Sequence, residues 1–452
     1  MKDHKGKDLE QLDRSPDELR GLLQDNGASV KDLERFDEIV SRRRFFGAVG
    51  KGTAATAVLG FGVGAEVALN GLFGRGLIPS AWAQEAAATP PPVEVPGKPG
   101  INVLESRPLN AEYGAHMLDD EVTPIERHFV RQHGAVSERA EKQDPQGWEL
   151  VVDGEVNKPL KLSLDDLRKF PEVSMKVAIE CAGNGRGLFN PPVRGNPWTY
   201  GAVGCSEWTG VRLRDVLKAA ELKSTAIYTG HYGDDPPLAG NAFSRGIPID
   251  KAMDEHTIIA YKMNGQPIPA LHGFPTRVVV PGWVGSCSQK WLNRIWIRDR
   301  EHDSDKMTGK AYRMPPFQYK PGQAPGKDEK WNIVTSWPIK SMITSPAADG
   351  MAKVGDTLQV RGFAWAGEDK VDRVEISTDF GATWKKASLR NAANKYAWQR
   401  FTLDLKLANQ GYYEIWARAF DDKGRAQPFV QAWNPGGYMG NMVHRVPVTV
   451  AA

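Results

Sequence analysis

From about residue 331 to the C-terminus, apolar and polar residues alternate in short runs separated by turn sequences. The turns include residues 379–381 (DFG) and 421–424 (DDKG), and no helical spacing of apolar residues interrupts the pattern. Six or seven regularly spaced strands without a helix are typical of an all-β, immunoglobulin-like sandwich. The predicted strands cover residues 357–366, 371–377, 383–388, 398–403, 412–420 and 443–450.

One segment of this region does not alternate. Residues 433–444 read WNPGGYMGNMVH, and their glycines and asparagines favour turns. We expect an ordered surface loop before the last strand. Trp365 and Trp416 are interpreted as ordinary sandwich core, with no role in function.

The part of the chain before residue 331 mixes short strands with few helices. Residues 148–156 and 160–167 predict a strand pair that leads into a short helix beginning at Ser163. Residues 208–217 (WTGVRLRDVL) predict a turn and then a helix, and residues 227–246 are expected to be irregular. Further short strands are predicted at 257–261, 276–281 and 292–298. This mixture favours an α+β fold over a doubly wound sheet.

The N-terminal 83 residues have the features of an export signal. Residues 41–46 (SRRRFF) contain paired arginines, an apolar Gly/Ala-rich stretch covers about 53–73, and residues 81–83 read AWA. This order indicates the twin-arginine route, which carries folded proteins to the periplasm. A membrane anchor is the alternative, but Glu66 and the glycines make a poor spanning helix. We therefore expect no membrane span after processing, and a proline-rich arm over residues 84–115.

Charge and cysteine content narrow the possible partners and metals. Residues 1–83 contain equal numbers of acidic and basic side chains, so the formal charge of +3 falls on the remainder. That is too little for a nucleic-acid or anionic-lipid partner. Cys181, Cys205 and Cys287 are widely spaced, which predicts no zinc, haem or iron–sulfur site on this chain. An oxidising compartment would permit a Cys205–Cys287 disulfide, and the sequence leaves that open.

Residues 177–186, VAIECAGNGR, form the most distinctive segment of the first part. A short apolar strand leads into Cys181 and a glycine-rich turn, and Asn184 and Arg186 add donors there. Because Gly183 and Gly185 lack a Cβ, a bulky group could approach the thiol closely. A small core cysteine before an ordinary turn is an equally good interpretation of these residues alone.

Four motifs in chain order resemble the sulfite oxidase family of molybdenum enzymes: residues 129–133 (FVRQH), 177–186, 271–282 (LHGFPTRVVVPG) and 289–297 (QKWLNRIWI). The resemblance implies a molybdopterin-binding catalytic domain over residues 116–330. It also implies that the sandwich, residues 331–452, is a dimerisation domain joining two copies of the chain.

The resemblance also implies roles for single residues. Cys181 would ligate molybdenum, and a thiolate is a soft donor suited to that metal. Arg131 and Arg186 would bind an anionic substrate, and Tyr312 would donate a hydrogen bond. The implied molybdopterin contacts are Phe129, Val130, Arg131, His133, Cys181, Arg212, Asp234, Asp235, His272, Arg277, Lys290, Trp291 and Leu292. Arginines, a lysine and backbone amides suit a flat group with a phosphate.

Several of these residues have ordinary explanations when each is taken alone. Arg212 and Asp234 could be solvated surface charges, His272 could cap a turn, and Lys290 could extend into water. The register at Asp234 and Asp235 is uncertain by one position. Only the order of the motifs favours the functional interpretation.

One departure from the family pattern bears on the substrate. The family commonly carries two arginines after C-A-G-N, whereas this chain has Gly185 in the first of those positions. We therefore expect a more open and less cationic pocket.

Within the family, the chain most resembles periplasmic molybdenum subunits that oxidise sulfane sulfur on a carrier protein and pass electrons to a c-type cytochrome subunit. Periplasmic sulfite oxidation is the alternative. A more remote one is a non-catalytic exported binding module with a structural Cys181. Because the sequence contains no haem, iron–sulfur or nucleotide motif, electrons must leave to a separate protein.

Overall fold

The structure, a computed structural model, describes residues 93–238 and 240–452. The predicted export signal lies outside the described residues. Residues from Pro92 to Ala452 form one compact unit. In the part of the chain that the structure describes, no helix has the length and apolar character needed to cross a membrane.

The first part of this unit consists of many short strands and four short helices. In chain order its elements are β1 (Asn102–Ser106), β2 (Leu109–Glu112), β3 (Val130–Arg131), α1 (Glu138–Lys142), β4 (Leu150–Gly154), β5 (Leu160–Leu162), α2 (Leu164–Leu167), β6 (Glu172–Glu180), β7 (Val203–Arg212), α3 (Leu213–Ala219), β8 (Tyr228–Gly233), β9 (Ser244–Pro248), α4 (Ile249–Ala252), β10 (Ile258–Met263), β11 (Gln266–Pro267), β12 (Arg277–Val279), β13 (Leu292–Arg298) and β14 (Arg313–Met314). Single 3₁₀ turns cover Ala115–Met117, Ile125–Arg127, Arg186–Leu188, Ala270–His272 and Gly285–Cys287.

Apart from β14, these strands form three sheets. One has the order β1-β2-β3, a second β11-β10-β7-β6 with β12 paired to β10, and a third β5-β4-β13-β8-β9. The pairing is antiparallel except between β4 and β13. The predicted α+β class is confirmed, because a doubly wound fold would need mainly parallel strands.

Local sequence signals account for several elements. Ser163 caps α2: its hydroxyl accepts from the Asp166 backbone N–H, and the Asp166 carboxylate accepts from the Ser163 N–H. The predicted strand at residues 292–298 coincides with β13. The helix α3 buries Leu213, Val216 and Leu217, as its apolar face predicts.

Two predictions in this part are wrong. Residues 208–212 continue β7 instead of forming a turn, because the absence of a side chain at Gly210 allows β10 to approach; a Cβ there would lie 2.0 Å from the Ile259 carbonyl oxygen. Residues 227–246 are not irregular, since they contain β8 and the start of β9. A Cβ at Gly230 of β8 would lie 2.6 Å from the His302 ring, so the strand has no room for a side chain at this position.

The second part is the predicted all-β sandwich, preceded by β15 (Asn332–Ile333), which pairs with β14. Its strands are β16 (Lys340–Ser345), β17 (Gly350–Lys353), β18 (Thr357–Trp365), β19 (Val371–Ser377), β20 (Lys385–Lys386), β21 (Ser388–Leu389), β22 (Gln399–Lys406), β23 (Gly411–Asp421) and β24 (His444–Ala451). One sheet has the order β16-β18-β22-β21 and the other β17-β24-β23-β19-β20. The predicted single strand at 383–388 is instead divided between the sheets as β20 and β21.

The sandwich shares a hydrophobic cluster with the first part. Phe363 and Trp398 stack with their ring centroids 4.2 Å apart, and they pack in one cluster with Tyr113, Val203 and Cys205. Cys205 and Cys287 are buried, free and in different clusters, so they form no disulfide. The strand β16 runs beside this contact, which brings the sandwich close to the end of β6.

Candidate active site

Cys181 follows the last residue of β6 and begins a tight turn. Its backbone N–H donates to the Ala202 carbonyl at 2.9 Å, and the Asn184 N–H returns to the Cys181 carbonyl at 2.8 Å. The side chain is 7% exposed. The turn therefore holds the thiol at a fixed place where the strand ends.

The glycines of this turn accommodate an arginine of the same chain. A Cβ at Gly183 would lie 2.6 Å from the guanidinium carbon of Arg186, and one at Gly195 would lie 2.9 Å from its Nη1. The guanidinium also donates to the Gly436 carbonyl at 3.2 Å and lies over the Tyr438 ring at 5.1 Å. The space that we expected for a bulky ligand beside Gly183 thus holds Arg186.

Cys181 faces a cavity, here called the inner cavity, which collects most of the predicted site residues. Its walls come from the segment after β3, the ends of β8 and β12, and the loop before β13. The predicted residues that line it are Phe129, Arg131, His133, Cys181, Asp235, His272, Arg277, Lys290, Trp291 and Tyr312.

Two cations of the inner cavity contact no carboxylate among the described residues. Arg277 is 5% exposed, donates to the carbonyls of His272 and Ser288, and lies over the Trp208 ring. Burial lowers its pKa to about 9. Lys290 donates to the Leu271 carbonyl, and desolvation, reinforced by Arg277, lowers its pKa well below the usual value. A cation without an anion is costly where it is buried, as Arg277 is, or partly buried, as Lys290 is. The pair therefore indicates that the cavity binds an anionic group.

Several buried polar atoms along the same walls have no hydrogen-bond partner in the protein. They are His128 Nε2, Gln132 Nε2, Asp235 Oδ1, Arg277 Nε and Gln289 Oε1. Donors and acceptors alternate in this set, so a ligand with both kinds of polar edge would satisfy it. Three of these residues were not predicted: Gln132 and Gln289 lie within quoted motifs, and His128 directly precedes one.

The structure separates the two adjacent aspartates. Asp235 lines the inner cavity and is 5% exposed, and burial raises its pKa to about 6. Asp234 points away: its carboxylate accepts from the Ser137 hydroxyl at 2.9 Å and lies 3.9 Å from Arg139. Asp235 is therefore the residue that can meet a ligand.

A hydrogen-bonded set of three side chains joins the inner cavity to the exterior. The His133 Nε2 lies 2.6 Å from the Tyr312 hydroxyl and 2.8 Å from Arg131 Nη2. Burial, with the nearby Arg131 charge, lowers the pKa of His133 well below its usual value. Burial also raises the pKa of Tyr312. The neutral imidazole therefore accepts at Nε2, while the Tyr312 hydroxyl stays protonated and can donate.

Outside Cys181 the site widens into an outer cavity of about 430 Å³. Its cationic side chains are Arg131, Arg186, Arg194 and Lys310, and its other lining groups include Glu105, Cys181, Tyr312 and Tyr438. The predicted openness agrees with this volume. The prediction of a less cationic pocket is not met, because Arg194 and Lys310 also line the outer cavity. Sequence reasoning had assigned no role to either residue.

The loop at residues 433–444 is part of the site and not a free surface loop. The Met439 backbone N–H donates to the Ala182 carbonyl at 2.9 Å, and the ring of Tyr438 stacks on Tyr312 with centroids 5.5 Å apart. Gly436 and Tyr438 line the outer cavity. The sandwich thus supplies one wall of a cavity that the sequence had assigned to the first part alone.

The side chains of four predicted residues do not line either cavity. Besides Asp234, these are Val130, Arg212 and Leu292. Arg212 is far away because β7 runs antiparallel to β6: Glu180 is opposite Val203, and nine further residues at about 3.3 Å each put Arg212 roughly 30 Å from the thiol. Val130 and Leu292 are fully buried core residues.

A residue of the proline-rich arm supports the inner cavity from behind. Lys98 is 4% exposed and donates to the His128 carbonyl at 2.7 Å and to His272 Nε2 at 2.8 Å. Burial lowers its pKa to about 7. Since His272 accepts at Nε2, its Nδ1 carries the ring proton. The expected extended arm is therefore anchored at this point.

Comparison with known proteins agrees with this geometry. The family model of the oxidoreductase molybdopterin binding domain matches residues 133–306, and that of the Mo-co oxidoreductase dimerisation domain matches residues 331–451. The crystal structure of the sulfane dehydrogenase SoxCD from Paracoccus pantotrophus is similar with a TM-score of 0.64 and 26% identity. The match covers 81% of this chain and 89% of that chain.

Curated relatives include two vertebrate enzymes. Mitochondrial sulfite oxidase of Rattus norvegicus is 36% identical over 376 residues, which cover 78% of this chain and 66% of the rat protein. Sulfite oxidase of Gallus gallus is 34% identical, over 77% of this chain and 78% of that protein. The match with the rat enzyme thus spans just under two thirds of that protein's length, and the match with the chicken enzyme spans more than three quarters.

The inner cavity fits the molybdopterin that the matched family model names. Its orphan donors and acceptors suit the polar edges of a flat pterin, and Arg277 and Lys290 suit its phosphate. Within the described residues, no group of three or more His, Cys, Asp or Glu side chains could hold a metal ion alone. Cys181, which the resemblance implies as the metal ligand, lines this cavity. The cofactor is molybdenum bound to molybdopterin, and the chain belongs to the sulfite oxidase family of molybdenum enzymes.

Proposed function

We propose that this chain is the molybdenum subunit of a periplasmic enzyme that oxidises sulfane sulfur presented on a carrier protein. The observation that carries the proposal is the outer cavity of about 430 Å³. Sulfite has four heavy atoms and, at roughly 10–15 Å³ of such cavity volume for each water-sized atom, needs about 40–60 Å³. The remaining volume suits a longer substrate, such as a sulfur atom at the end of a protein arm.

The residues of the inner cavity bind the cofactor in this proposal. Cys181 ligates the metal, Arg277 and Lys290 bind the phosphate, and Asp235 accepts from the amino edge of the pterin. When bound, the cofactor supplies oxygen-atom transfer and takes up two electrons. A raised Asp235 pKa in the cofactor-free protein agrees with a carboxylate whose donors come from a ligand.

The residues between the two cavities bind the substrate. Arg131 and Arg186 bind the anionic oxygen atoms that develop on sulfur. The Tyr312 hydroxyl, which donates its one proton to His133 Nε2 in the cofactor-free protein, rotates to donate to the same atoms. Arg131 is held in place by Asn110 Oδ1 at 3.1 Å and by His133. Arg194 and Lys310, farther out, attract the acidic surface of a carrier.

Electrons leave this chain to a c-type cytochrome subunit, since the sequence has no motif for a second redox group. The dimerisation-domain match supports a homodimer, and the SoxCD likeness supports a partner subunit.

The paired arginines at residues 42–44 support export by the twin-arginine route. Replacing Arg42 and Arg43 by Lys should leave the folded holoenzyme in the cytoplasmic fraction; unchanged periplasmic delivery would contradict this route.

Oxidation of free sulfite is the second candidate function, because the rat and chicken relatives are sulfite oxidases at 36% and 34% identity. The remote alternative, a non-catalytic binding module, gives no reason for the unpaired Arg277 and Lys290.

A substrate panel separates the two enzymatic functions. Purified holoenzyme with measured molybdenum content is mixed in a stopped-flow cell with a c-type cytochrome and either free sulfite or a carrier protein bearing a cysteine persulfide. Fast haem reduction with the persulfide carrier alone is the expected result. Fast reduction with free sulfite alone would make the chain a sulfite dehydrogenase. Purified protein without molybdenum would contradict both functions.

A further inference from the structure

The residue before Cys181 carries a carboxylate that is bound by three donors. Glu180 is 1% exposed. Its Oε1 accepts from Asn184 Nδ2 at 2.8 Å and from Lys340 Nζ at 2.6 Å, and its Oε2 accepts from Trp365 Nε1 at 2.6 Å. The protein itself thus supplies three donors to this carboxylate.

Two of the three donors come from the sandwich. Lys340 of β16 and Trp365 of β18 are direct partners in the antiparallel register, so their side chains leave the same face of the sheet side by side. Lys340 is 2% exposed and also lies over the Trp337 ring at 5.3 Å. The two side chains therefore approach the carboxylate from one rigid pair of strands.

The third donor belongs to the turn that holds the thiol. Asn184 closes the turn by donating its backbone N–H to Cys181, and its Oδ1 accepts from the Ala202 N–H at 3.1 Å. Glu180 and Asn184 thus border Cys181 on both sides and are tied together. A displacement of the Glu180 carboxylate would move both ends of the turn.

We propose that Lys340 and Trp365 are positioning residues for Cys181, which they hold in place through Glu180. The proposal rests on the assignment of Cys181 as metal ligand under the proposed function. By this proposal, the domain matched as a dimerisation domain also fixes the metal site of its own chain. Removing one partner of a buried ion pair leaves an uncompensated charge, and here that charge adjoins the ligand.

The test compares Lys340→Met with a matched variant elsewhere. Lys251 is 7% exposed and pairs with Glu368 of the sandwich and, at 3.5 Å, with Asp254 of the first part. It therefore joins the same two parts of the molecule, but it lines neither cavity. Lys251→Met should lower the melting temperature while molybdenum per chain stays at the wild-type level. Lys340→Met should lower the melting temperature and also weaken metal retention about 10–100-fold.

Two further measurements keep the test decisive if Lys340→Met folds poorly. The double variant Glu180→Gln/Lys340→Met removes both charges. Its single amide oxygen can accept from only one of Asn184 and Trp365, so it should recover part of the molybdenum that Lys340→Met loses. In holoenzyme of Trp365→Phe, the visible absorption band of the thiolate-bound metal should shift, whereas a purely structural residue would leave it unchanged.

Molybdenum content and spectrum in Lys340→Met equal to those of Lys251→Met would overturn the proposal. Recovery of no metal in the charge-neutral double variant would do the same. If instead Cys181 is not the metal ligand, Cys181→Ser would retain molybdenum whatever the result for the Lys340 variants. The two failures can therefore be distinguished.

Discussion

Two groups of buried charge adjoin the Cys181 turn, and they differ in whether the charges are paired. On the inner cavity, Arg277 and Lys290 contact backbone carbonyls and aromatic rings. On the sandwich side, Lys340 is 2.6 Å from Glu180. An unpaired buried cation is expensive in the empty protein and favourable only once an anion binds. The unpaired group is therefore suited to binding, and the paired group to holding the backbone.

The strongest test of this comparison removes the thiol between the two groups. Cys181→Ser replaces a soft donor by a hard hydroxyl of similar size, so turnover should fall by several orders of magnitude and molybdenum should be lost. The fold should survive, because neither charged group is altered. Elemental analysis, turnover and a melting curve measure the three effects, with Cys205→Ser as the control thiol. An active Cys181→Ser enzyme would remove Cys181 from the chemistry.

The second test concerns a cation that faces substrate instead of cofactor. Arg186→Met removes charge-assisted hydrogen bonds of about 1.5–3 kcal/mol, so kcat/KM should fall about 10–100-fold and KM should rise. Molybdenum content should not change, because Arg186 lines only the outer cavity. Arg186→Lys should recover part of the loss, as it keeps the charge without the planar fork. Wild-type kinetics in Arg186→Met would exclude the residue from substrate binding.

The third test asks whether the free energy of unfolding changes in opposite directions when an unpaired cation and a paired cation are each replaced by Met. Lys290→Met should raise the free energy of unfolding of the cofactor-free protein by about 1–2 kcal/mol, whereas Lys340→Met lowers it. The Lys290 pKa is lowered by burial, so between that pKa and its usual 10.5 the unfolded state binds more protons. Wild-type stability should then rise with pH across this window, and Lys290→Met should lose that contribution.

Urea unfolding of cofactor-free protein at several pH values measures both effects. The holoenzyme of Lys290→Met should in addition release its cofactor faster than wild type. A cofactor-free Lys290→Met protein that is less stable than wild type would contradict the distinction between the two groups.

The sequence predicted the elements whose signals are local. The Ser163 cap, the strand β13 and the sandwich strand β19 depend on patterns of a few residues, and each lies where expected. The strand β16 was missed because five of its six residues are buried, so neither face shows the alternation of a half-exposed strand. Because β16 is also buried on the face that is turned toward the first part, the Lys340 side chain contacts Glu180 inside the protein.

The residues of the site likewise fall into those that the sequence located and those that it could not. Resemblance located most residues of the inner cavity, because they lie within motifs that are continuous in the sequence. It could not find Lys98, Lys310 or Tyr438, which reach the site from an arm, a long loop and the sandwich only after folding. It also placed Arg212, at the start of the predicted helix, at the cofactor, since the sequence does not reveal that β7 runs away from the thiol.

The smallest effect concerns the acidic member of the inner cavity. The Asp235 pKa is raised from 3.8 to about 6, so between these values the folded, cofactor-free protein binds more protons than the unfolded chain. Its stability should therefore fall as pH rises through this window, by about 1 kcal/mol between pH 5 and pH 7. Asp235→Asn should remove this contribution, and Asp234→Asn, on the exposed neighbour, should not. Bound cofactor should also remove it, because donors on the pterin edge favour the ionised carboxylate. Urea unfolding of both forms at pH 5 and pH 7 measures the difference. If the holoenzyme kept the full dependence on Asp235, this carboxylate would not contact the cofactor, and the binding group would consist of its cations alone.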